Sequence, residues 1–449
     1  MVPKINAKKC FLSSFGVVGC VLLAANFVGF SNIKDYVIPN NYGQAKTELE
    51  TTKTGSIERL TFQNINNRVF LLEPFRDAQS KDLYVLAETK RHNDSEISLM
   101  KCVLCKNEYS FYDDPDECIE LGIEETYGSR REPPLLGTIF FHCLIPSQVE
   151  AKDYPLSTLK IGRKYGHLIQ ISDINRKEGN NTIITMCAGP QYGKSKKAIN
   201  LAEWIEFHRL MGVNRFQIYV TSNNSVSKEY HELLKKYVEE GVVDLIYWES
   251  LSHSHYYSQN SLLNHCVWRN KAKSKLVVYN DIDEFFVPTN NSYNNWNEAF
   301  SSYLENTNNS EIRFRNWFYD ASCPDKKENS NLMLSSVFIR KKEPHSISSR
   351  TKCILRPERI LWAGVHKTHR FIPEHKKNNY KVAIIPPEVG YMAHFRAGKG
   401  KIKTPECDLQ KGKEVEINRD LQKYGKMIEG KVDEVMTDLT KIAKNNTSQ

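Results

Sequence analysis

The chain lacks several patterns that identify common protein classes. Its 449 residues carry a formal charge of +9, but the lysines and arginines are scattered and form no long basic run. Nucleic-acid-binding surfaces usually concentrate such charge, so we expect no nucleic-acid partner. No glycine-rich loop has the spacing of an NTPase phosphate-binding motif. The Cys102-x-x-Cys105 pair has no second such pair, which argues against a zinc site.

Long apolar runs are also rare, with one exception near the N-terminus. Residues 11–30 (FLSSFGVVGCVLLAANFVGF) contain no charged side chain, and Lys4, Lys8 and Lys9 precede them. About 20 apolar residues suffice to cross a bilayer as a helix, and the lysines favour a cytoplasmic tail over residues 1–10. We therefore predict a transmembrane signal-anchor of type II orientation, with the rest of the chain lumenal. A cleaved signal peptide is the alternative.

The cysteines and the glycosylation sequons agree with a lumenal location. Nine of the 11 cysteines follow residue 100, where an oxidising compartment would allow up to four disulfides. We expect Cys102 and Cys105 to form structural disulfides, with Cys118 or Cys143 as candidate partners. Sequons for N-glycosylation occur at Asn93, Asn180, Asn223, Asn290, Asn308, Asn445 and Asn446.

The sequence beyond the anchor divides by pattern into three parts. Residues 31–60 are polar and predict a stem. Short apolar runs between clusters of Asp, Asn, Gly and Pro predict an antiparallel β-rich domain over residues 61–178. Residues 179–449 alternate strand and helix patterns and end in a charged amphipathic helix at 411–444. This α/β alternation predicts a mostly parallel sheet covered on both faces.

The strongest chemical signal is VVYNDIDEFF at residues 277–286. It reads as the fourth strand of the α/β series, and ligands of such sheets bind outside the carboxyl ends of the strands. Asp281 and Asp283 are two residues apart, so they lie on one face if the strand persists. Two such oxygen donors suit Mn²⁺ or Mg²⁺, which also binds diphosphate oxygens and can stabilise a leaving nucleoside diphosphate. Glu284 would support this site or cap the following turn.

Several stretches, in order along the chain, resemble glycosyltransferase family 92. They are TMCAGPQYGKSKKAINLAEWIEFHRLMGVNRFQIY, NHCVWRN, VVYNDIDEFFVP, KCILRPERILWAGVH and MAHFRAG, from about residue 182 to 398. The resemblance implies a GT-A fold and a type II Golgi membrane enzyme. It also implies a nucleotide-sugar donor and a glycan acceptor. Characterised animal members transfer galactose from UDP-galactose with inversion and with Mn²⁺, and fucose in N-glycan cores is one known acceptor.

The resemblance makes Asp281 and Asp283 the Asp-x-Asp metal pair. Enzymes of the GT-A type usually add a late metal ligand, for which this chain offers His394 and His366. We prefer His394, because Arg396 two residues later would face the same diphosphate from one strand face. The candidate phosphate contacts are Lys352, Arg356 and Arg396.

An inverting transfer also needs a general base beside the acceptor hydroxyl. Glu358 and Asp320 are the candidates, and the choice stays open because the stretch around Asp320 departs from the Gly- and Ser-rich pattern of relatives. Trp317 is a candidate for stacking on a sugar. Gly189 and Lys194, in a loop before a helix N-terminus, could receive a phosphate or the uracil.

Two other functions fit parts of the pattern. A phosphohydrolase of the haloacid dehalogenase type also carries Asp-x-Asp after a strand, but its motif continues with Thr or Val where this chain has Glu284. A non-catalytic lectin or adhesion protein with a degenerate transferase domain is the second alternative. The intact Asp281 and Asp283 argue against it.

Overall fold

The structure of the chain is a computed structural model. It describes residues 50–51, 55–77, 80–90, 94–108, 117–128, 136–174, 183–221, 225–251, 254–290, 292–325, 327–372, 380–396 and 415–447. The predicted tail (1–10) and signal-anchor (11–30) lie outside these ranges. Among the helices within them, none is both long and apolar enough to cross a membrane.

A nine-stranded sheet forms the centre of the fold. Five neighbouring strands, from Ser56–Leu60 to Leu276–Tyr279, are parallel, and the strands beyond them are mostly antiparallel. The spatial order is Glu50–Thr51, Ser56–Leu60, Val243–Trp248, Arg215–Val220, Ile184–Gln191, Leu276–Tyr279, Lys352–Leu355, Asn309–Phe314 and Lys381–Ile384. Residues 56–60, within the predicted stem, therefore belong to the sheet, because their backbone pairs with Val243–Trp248.

Helices join the parallel strands as the periodicity predicts. They span Ala198–Leu210, Lys228–Glu239 and Gln259–Arg269. The first two helices and the C-terminal helix Gln422–Thr447 pack on one face of the sheet, and the third lies on the other. The remaining helices are Asp94–Ser98, Trp296–Leu304 and Met333–Ser336, with 3₁₀ turns at Ala151–Asp153 and Pro357–Arg359.

The β-rich region forms a ten-stranded, mostly antiparallel sheet. Its strands are Gln63–Asn64, Val69–Asp77, Leu83–Thr89, Met100–Cys105, Cys118–Gly128, Gly137–Cys143, Leu156–Ile161, Lys164–Tyr165, Ile169–Gln170 and Ser172–Ile174. Tyr84 and Phe140 pack on Trp268 of the third helix, with ring centroids 4.7 and 5.0 Å apart. The ten-stranded sheet therefore covers the second face of the central sheet. The boundary between residues 61–178 and 179–449 stays a prediction.

Disulfides hold both parts of the described chain. Cys102 pairs with Cys143 and Cys105 with Cys118, which confirms the predicted structural disulfides. A third disulfide joins Cys187, in the first α/β strand, to Cys266 of the third helix. Cys323 is also disulfide-bonded.

A five-stranded sheet adjoins the carboxyl end of the strand Leu276–Tyr279. Its order is Glu284–Pro288, Gly390–Arg396, Asn316–Asp320, Ile339–Lys341 and Val415–Ile417. The strands Asn309–Phe314 and Asn316–Asp320 belong to different sheets. The chain leaves the central sheet at Arg315, whose guanidinium donates to the carbonyl oxygen of His345 at 3.0 Å. A two-stranded sheet, Ile360–Ala363 with Thr368–Phe371, completes the described strands.

Candidate active site

Two carboxylates lie in the turn between the central and five-stranded sheets. The strand ends at Tyr279, so the expectation that a persisting strand aligns Asp281 with Asp283 is wrong. A turn holds them instead, closed by the Glu284 amide, which donates to the carbonyl oxygen of Asp281 at 3.0 Å. Their side chains are 40% and 42% exposed, whereas that of Glu284 is 3% exposed. The two aspartates can therefore meet a ligand, and Glu284 lies beneath them.

Lys352 neutralises part of this buried charge. Val278 pairs with Ile354 across the sheet, which brings Lys352 beside the end of the strand. Its Nζ lies 3.0 Å from Oδ2 of Asp281 and 3.0 Å from Oε2 of Glu284, and its side chain is 1% exposed. The carboxylates of Asp281 and Glu284 are therefore direct partners of Lys352.

The pKa shifts follow from this pairing. Burial alone would lower the pKa of Lys352, but Asp281 and Glu284 outweigh it and raise the pKa. Burial would raise the pKa of Asp281, and Lys352 reverses that shift. The pKa of Glu284 stays raised, by burial first, because its neighbour Asp281 opposes the effect of Lys352. The ammonium is therefore positive at neutral pH and holds Asp281 ionised.

His394 lies against the same carboxylates from the five-stranded sheet. It pairs with Glu284 in register, and its Nε2 is 3.6 Å from Oδ2 of Asp283. Its Nδ1 is 3.2 Å from the side-chain amide of Asn316, which can donate to it. Burial lowers the pKa of His394, but Asp283 and Glu284 outweigh it and raise the pKa. The preferred histidine is thus adjacent to the aspartate turn.

His366, the other candidate ligand, has a different partner. Its Nδ1 lies 3.0 Å from the carbonyl oxygen of Thr351, although the charges of Lys352 and Asp281 still reach its imidazole. Within the described ranges, no carboxylate lies as close to the His366 ring as Asp283 lies to that of His394. His394 is therefore the better placed of the two histidines.

The donor chemistry of Asp283 and His394 fits a divalent ion. Among the described residues, no three histidine, cysteine or carboxylate side chains converge as a preformed metal centre would require. Oδ2 of Asp283 and Nε2 of His394 are 3.6 Å apart, so a cation about 2.0–2.2 Å from each would fit between them. Mg²⁺ and Mn²⁺ commonly take their remaining ligands from water and phosphate. The arrangement therefore suits an ion that binds together with a diphosphate.

The loop after the strand Ile184–Gln191 adds a cation that the sequence prediction missed. Lys196 donates to Oε1 of Gln191 at 2.8 Å, and its charge interacts with those of Asp283 and Asp281. Burial lowers its pKa, which the two aspartates oppose. Lys194, the predicted contact, is exposed to solvent. Lys196 is thus a lysine of this loop whose charge interacts with both aspartates.

Gly189 shapes the same loop through its backbone. Its φ is 142°, and a Cβ there would lie 2.8 Å from the carbonyl oxygen of Tyr219. The Tyr279 hydroxyl donates to the carbonyl oxygen of Gly189. Only glycine fits this close approach, so the residue fixes the path of the loop.

Two exposed tyrosines stand beside the aspartates. The rings of Tyr192 and Tyr257 are 4.2 Å apart between centroids. The pKa of Tyr192 is raised by burial first and also by the charge of Asp281, so this pair lies within electrostatic reach of the turn. Tyr256, Tyr257 and Ser258 all have positive φ, at 46°, 54° and 63°. Such strain in consecutive non-glycine residues is typical of functional segments.

Two predicted residues lie away from the turn. Arg356 and Glu358 follow the far end of the strand Lys352–Leu355, and four residues of strand span about 13 Å. Arg356 donates to the carbonyl oxygens of Asn309 at 2.8 Å and Leu304 at 2.6 Å. The structure therefore does not bring Arg356 to a phosphate or Glu358 to the aspartates.

Asp320 and Arg396 lie on the sheet face that carries His394. They pair in register two residues beyond the pair of Phe318 and His394, and residues two apart on a strand share a face. Asp320 accepts a hydrogen bond from the Ser322 amide at 3.0 Å. These two predicted residues are thus near the turn.

Trp317 lies on the face of this sheet opposite to that of His394. Its ring packs on Tyr391, with centroids 4.9 Å apart, and under the guanidinium of Arg340 at 4.1 Å. The prediction that it stacks on a sugar at this site is wrong, because neighbouring residues of a strand point to opposite faces. Phe318 occupies the site face instead, 4.9 Å from the His394 ring.

Fold and site together define a mixed α/β protein whose ligand site joins carboxylates, a lysine and a histidine at the carboxyl end of a parallel strand. Residues 183–442, more than half of the chain, match the model of glycosyltransferase family 92. The chain belongs to glycosyltransferase family 92 and is a glycosyltransferase.

One curated relative and two solved structures are similar to this chain. Over 220 residues it is 27% identical to beta-1,4-galactosyltransferase galt-1 of Caenorhabditis elegans, and the alignment covers 48% of each protein. The chain thus spans about half the length of that relative. A 4-diphosphocytidyl-2C-methyl-D-erythritol synthase from Anaerococcus prevotii aligns at 9% identity and TM-score 0.24, over 46% of this chain and 87% of its own. A second such synthase aligns at 12% identity and TM-score 0.24, over 50% and 95%. Scores of this size establish no shared fold.

Proposed function

We propose that the chain transfers galactose from UDP-galactose to a glycan, with inversion and with Mn²⁺ or Mg²⁺, on a catalytic domain of the GT-A type. Fucose in the core of N-glycans is the proposed acceptor. The observation that carries the proposal is the contact of His394 with Asp283 beside Asp281, at the carboxyl end of a parallel strand. The name of the Caenorhabditis elegans relative supports galactose as the sugar.

The charges of the turn suit a divalent cation. Three carboxyl groups, those of Asp281, Asp283 and Glu284, lie together with a single lysine, Lys352. Asp283 and His394 would hold the ion, and Lys352 holds Asp281 in place beside it. When bound, the ion would supply Lewis-acid stabilisation of the leaving diphosphate.

The donor would extend from the aspartates towards the loop of Lys196. The Lys196 ammonium and the Arg396 guanidinium would pair with phosphate oxygens. The uracil would stack against Tyr192 and Tyr257, because exposed aromatic faces bind nucleobases. The rigid path of the loop, fixed at Gly189, would hold these groups ready before the donor binds.

Asp320 is the carboxylate best placed to act as the general base. It lies about 7 Å along the sheet from His394, by the rise of two strand residues, and on the same face. It would take the proton of the acceptor hydroxyl while the acceptor oxygen bonds to the anomeric carbon and the bond from that carbon to UDP breaks. This single displacement inverts the anomeric centre.

A Golgi location with a type II anchor completes the proposal. Residues 11–30 have the length and composition of a transmembrane helix. The disulfides of the described chain are typical of proteins that fold in the secretory pathway.

Turnover of a panel of UDP-sugars tests the proposal. The full-length protein is incubated with each sugar and Mn²⁺, and UDP release is measured with and without a glycan acceptor. We expect UDP-galactose to be consumed, EDTA to stop the reaction, and Asp283→Ala to slow it by about 100-fold or more. Glu358→Ala is the matched carboxylate control and should retain activity. Failure of every UDP-sugar to turn over would contradict the proposal.

A further inference from the structure

Phe318, a residue outside the proposed donor site, lies among four basic side chains. Its ring centroid is 4.9 Å from that of His394 and 4.4 Å from that of His345. Arg350 lies over the same ring, with Cζ 5.4 Å from the centroid, and Nζ of Lys341 is 5.9 Å away. Phe318 is only partly buried. We call Phe318, Lys341, His345 and Arg350 the basic aromatic patch.

The register of the five-stranded sheet places the patch beside the reaction site. Glu284 pairs with His394 and His394 with Phe318. Tyr319 pairs with Arg340 in the antiparallel sense, so Phe318 is opposite Lys341. Two strand spacings separate His394 from Lys341, which amounts to about 10 Å. Lys341 therefore lies one strand further from Glu284 than Phe318 does.

The two cations of the patch have no acidic partner. Within the described ranges, no carboxylate lies within ion-pair distance of Lys341 or Arg350, whereas the neighbouring Arg340 pairs with Glu416 at 2.8 Å. Arg350 has a φ of 57°, which is strained for a residue other than glycine. The Arg350 side chain thus combines a position over the Phe318 ring with a strained backbone.

His345 adds a polar group that faces no protein partner. Its backbone is fixed, because its amide donates to the carbonyl oxygen of Asn316 at 2.7 Å. Its Nε2 is buried and has no hydrogen-bond partner among the described residues. A buried polar atom without a partner costs stability unless a ligand or water satisfies it.

We propose that the basic aromatic patch binds a sugar unit of the acceptor that carries an anionic group, such as a carboxylate or a sulfate. The inference rests on the proposed transferase function. The apolar face of the sugar packs on Phe318, as ligand rings do on exposed aromatic side chains. Lys341 and Arg350 pair with the anion through charge-assisted hydrogen bonds, and His345 meets a hydroxyl group. The distance to His394 is within the length of a disaccharide, so the anionic unit neighbours the unit that receives the transferred sugar.

Ligand-observed NMR with matched sugars tests this subsite. The full-length protein is saturated with UDP and Mn²⁺, and methyl β-D-glucuronide is compared with methyl β-D-glucoside, and galactose 6-sulfate with galactose. We expect each anionic probe to bind about tenfold or more tightly than its neutral match, because two fixed cations stabilise it. Equal affinity within each pair would overturn the proposal.

Variants assign the effect to the patch. Lys341→Gln and Arg350→Asn should each remove most of the anionic preference, and asparagine tolerates the positive φ of position 350. Lys341→Arg should retain the preference, and Lys342→Gln, at the next and exposed position, is the matched control. Phe318→Leu should weaken the anionic and the neutral probes alike.

UDP affinity distinguishes an acceptor subsite from a role of the two cations in binding the donor diphosphate. We expect the affinity for UDP to be unchanged in Lys341→Gln and Arg350→Asn. A loss of UDP affinity with unchanged probe binding would assign the two cations to the donor diphosphate and overturn the acceptor subsite. If no UDP-sugar is turned over while the anionic preference persists, the transfer proposal fails and the subsite stands.

Discussion

Replacement of Lys352 by methionine should destabilise the fold strongly. The ammonium lies 3.0 Å from carboxylate oxygens of both Asp281 and Glu284, and its side chain is 1% exposed. Methionine is unbranched and of similar size but uncharged, so Glu284 keeps only His394, whose Nδ1 is 3.5 Å from Oε1, as a basic neighbour. Breaking a buried ion pair from one side costs about 3–5 kcal/mol. We expect a loss of this size in the free energy of unfolding.

Chemical denaturation of the full-length protein, followed by tryptophan fluorescence, measures the loss. Lys342→Met is the matched control, because this exposed lysine should change the free energy by less than about 0.5 kcal/mol. Adding Glu284→Gln to Lys352→Met should recover part of the loss, since the double variant no longer buries an unpaired charge. A loss below about 1 kcal/mol would refute the reasoning.

The stability of the Lys352→Met variant should also depend on pH in a definite direction. Burial already raises the pKa of Glu284, and without Lys352 the effects of burial, Asp281 and Asp283, which all raise it, would be opposed by His394 alone. A carboxyl group whose folded-state pKa is raised stabilises the fold at low pH and loses that contribution as the pH rises. The deficit relative to the wild type should therefore shrink between pH 7 and pH 5. A deficit that grows on acidification would contradict the assigned pairing.

Three further predictions concern the ligand groups. The pKa of His394 is raised by its carboxylates against the effect of burial, so Mn²⁺ affinity, measured by electron paramagnetic resonance, should fall from pH 8 to pH 6 as the imidazole protonates. His394→Gln should abolish this pH dependence; a dependence that persists would contradict the assignment. Tyr257→Ala should weaken UDP binding by about 5- to 100-fold, whereas Tyr165→Ala, an exposed tyrosine of the ten-stranded sheet, should not; equal effects would remove the stacking role. Asp320→Asn should lower kcat by about 100-fold or more with UDP affinity preserved, and a normal kcat would exclude Asp320 as the base.

Sequence patterns predicted the α/β helices and the cysteines that form disulfides in the β-rich region. The apolar spacing of Ala198, Leu201, Ala202 and Ile205 is typical of a helix, and all four residues are buried, although the helix buries most of its other residues from 203 to 208 as well. The pairing of Cys102 and Cys105 with Cys118 and Cys143 was also within reach, because few cysteines precede the α/β region.

Contacts between distant segments could not be predicted in the same way. Lys352 is 71 residues from Asp281, and nothing in either segment indicates that the strand pairing brings them together. The sequence did not show that Trp317 points away from the site, because the strand break at Arg315 decides which face of the sheet each following residue occupies. Lys196 lies two positions from the predicted Lys194, and only the path of the loop decides which ammonium faces the aspartates.

Calorimetric titration of UDP into the full-length protein, with and without Mn²⁺, tests the central claim most directly. The account predicts that Mn²⁺ strengthens UDP binding by about tenfold or more and that Asp283→Asn abolishes this gain. Glu358→Gln, the distant carboxylate, should leave it intact. UDP binding that is equally strong without Mn²⁺, or a gain that survives in Asp283→Asn, would contradict a metal-dependent donor site at the aspartate turn.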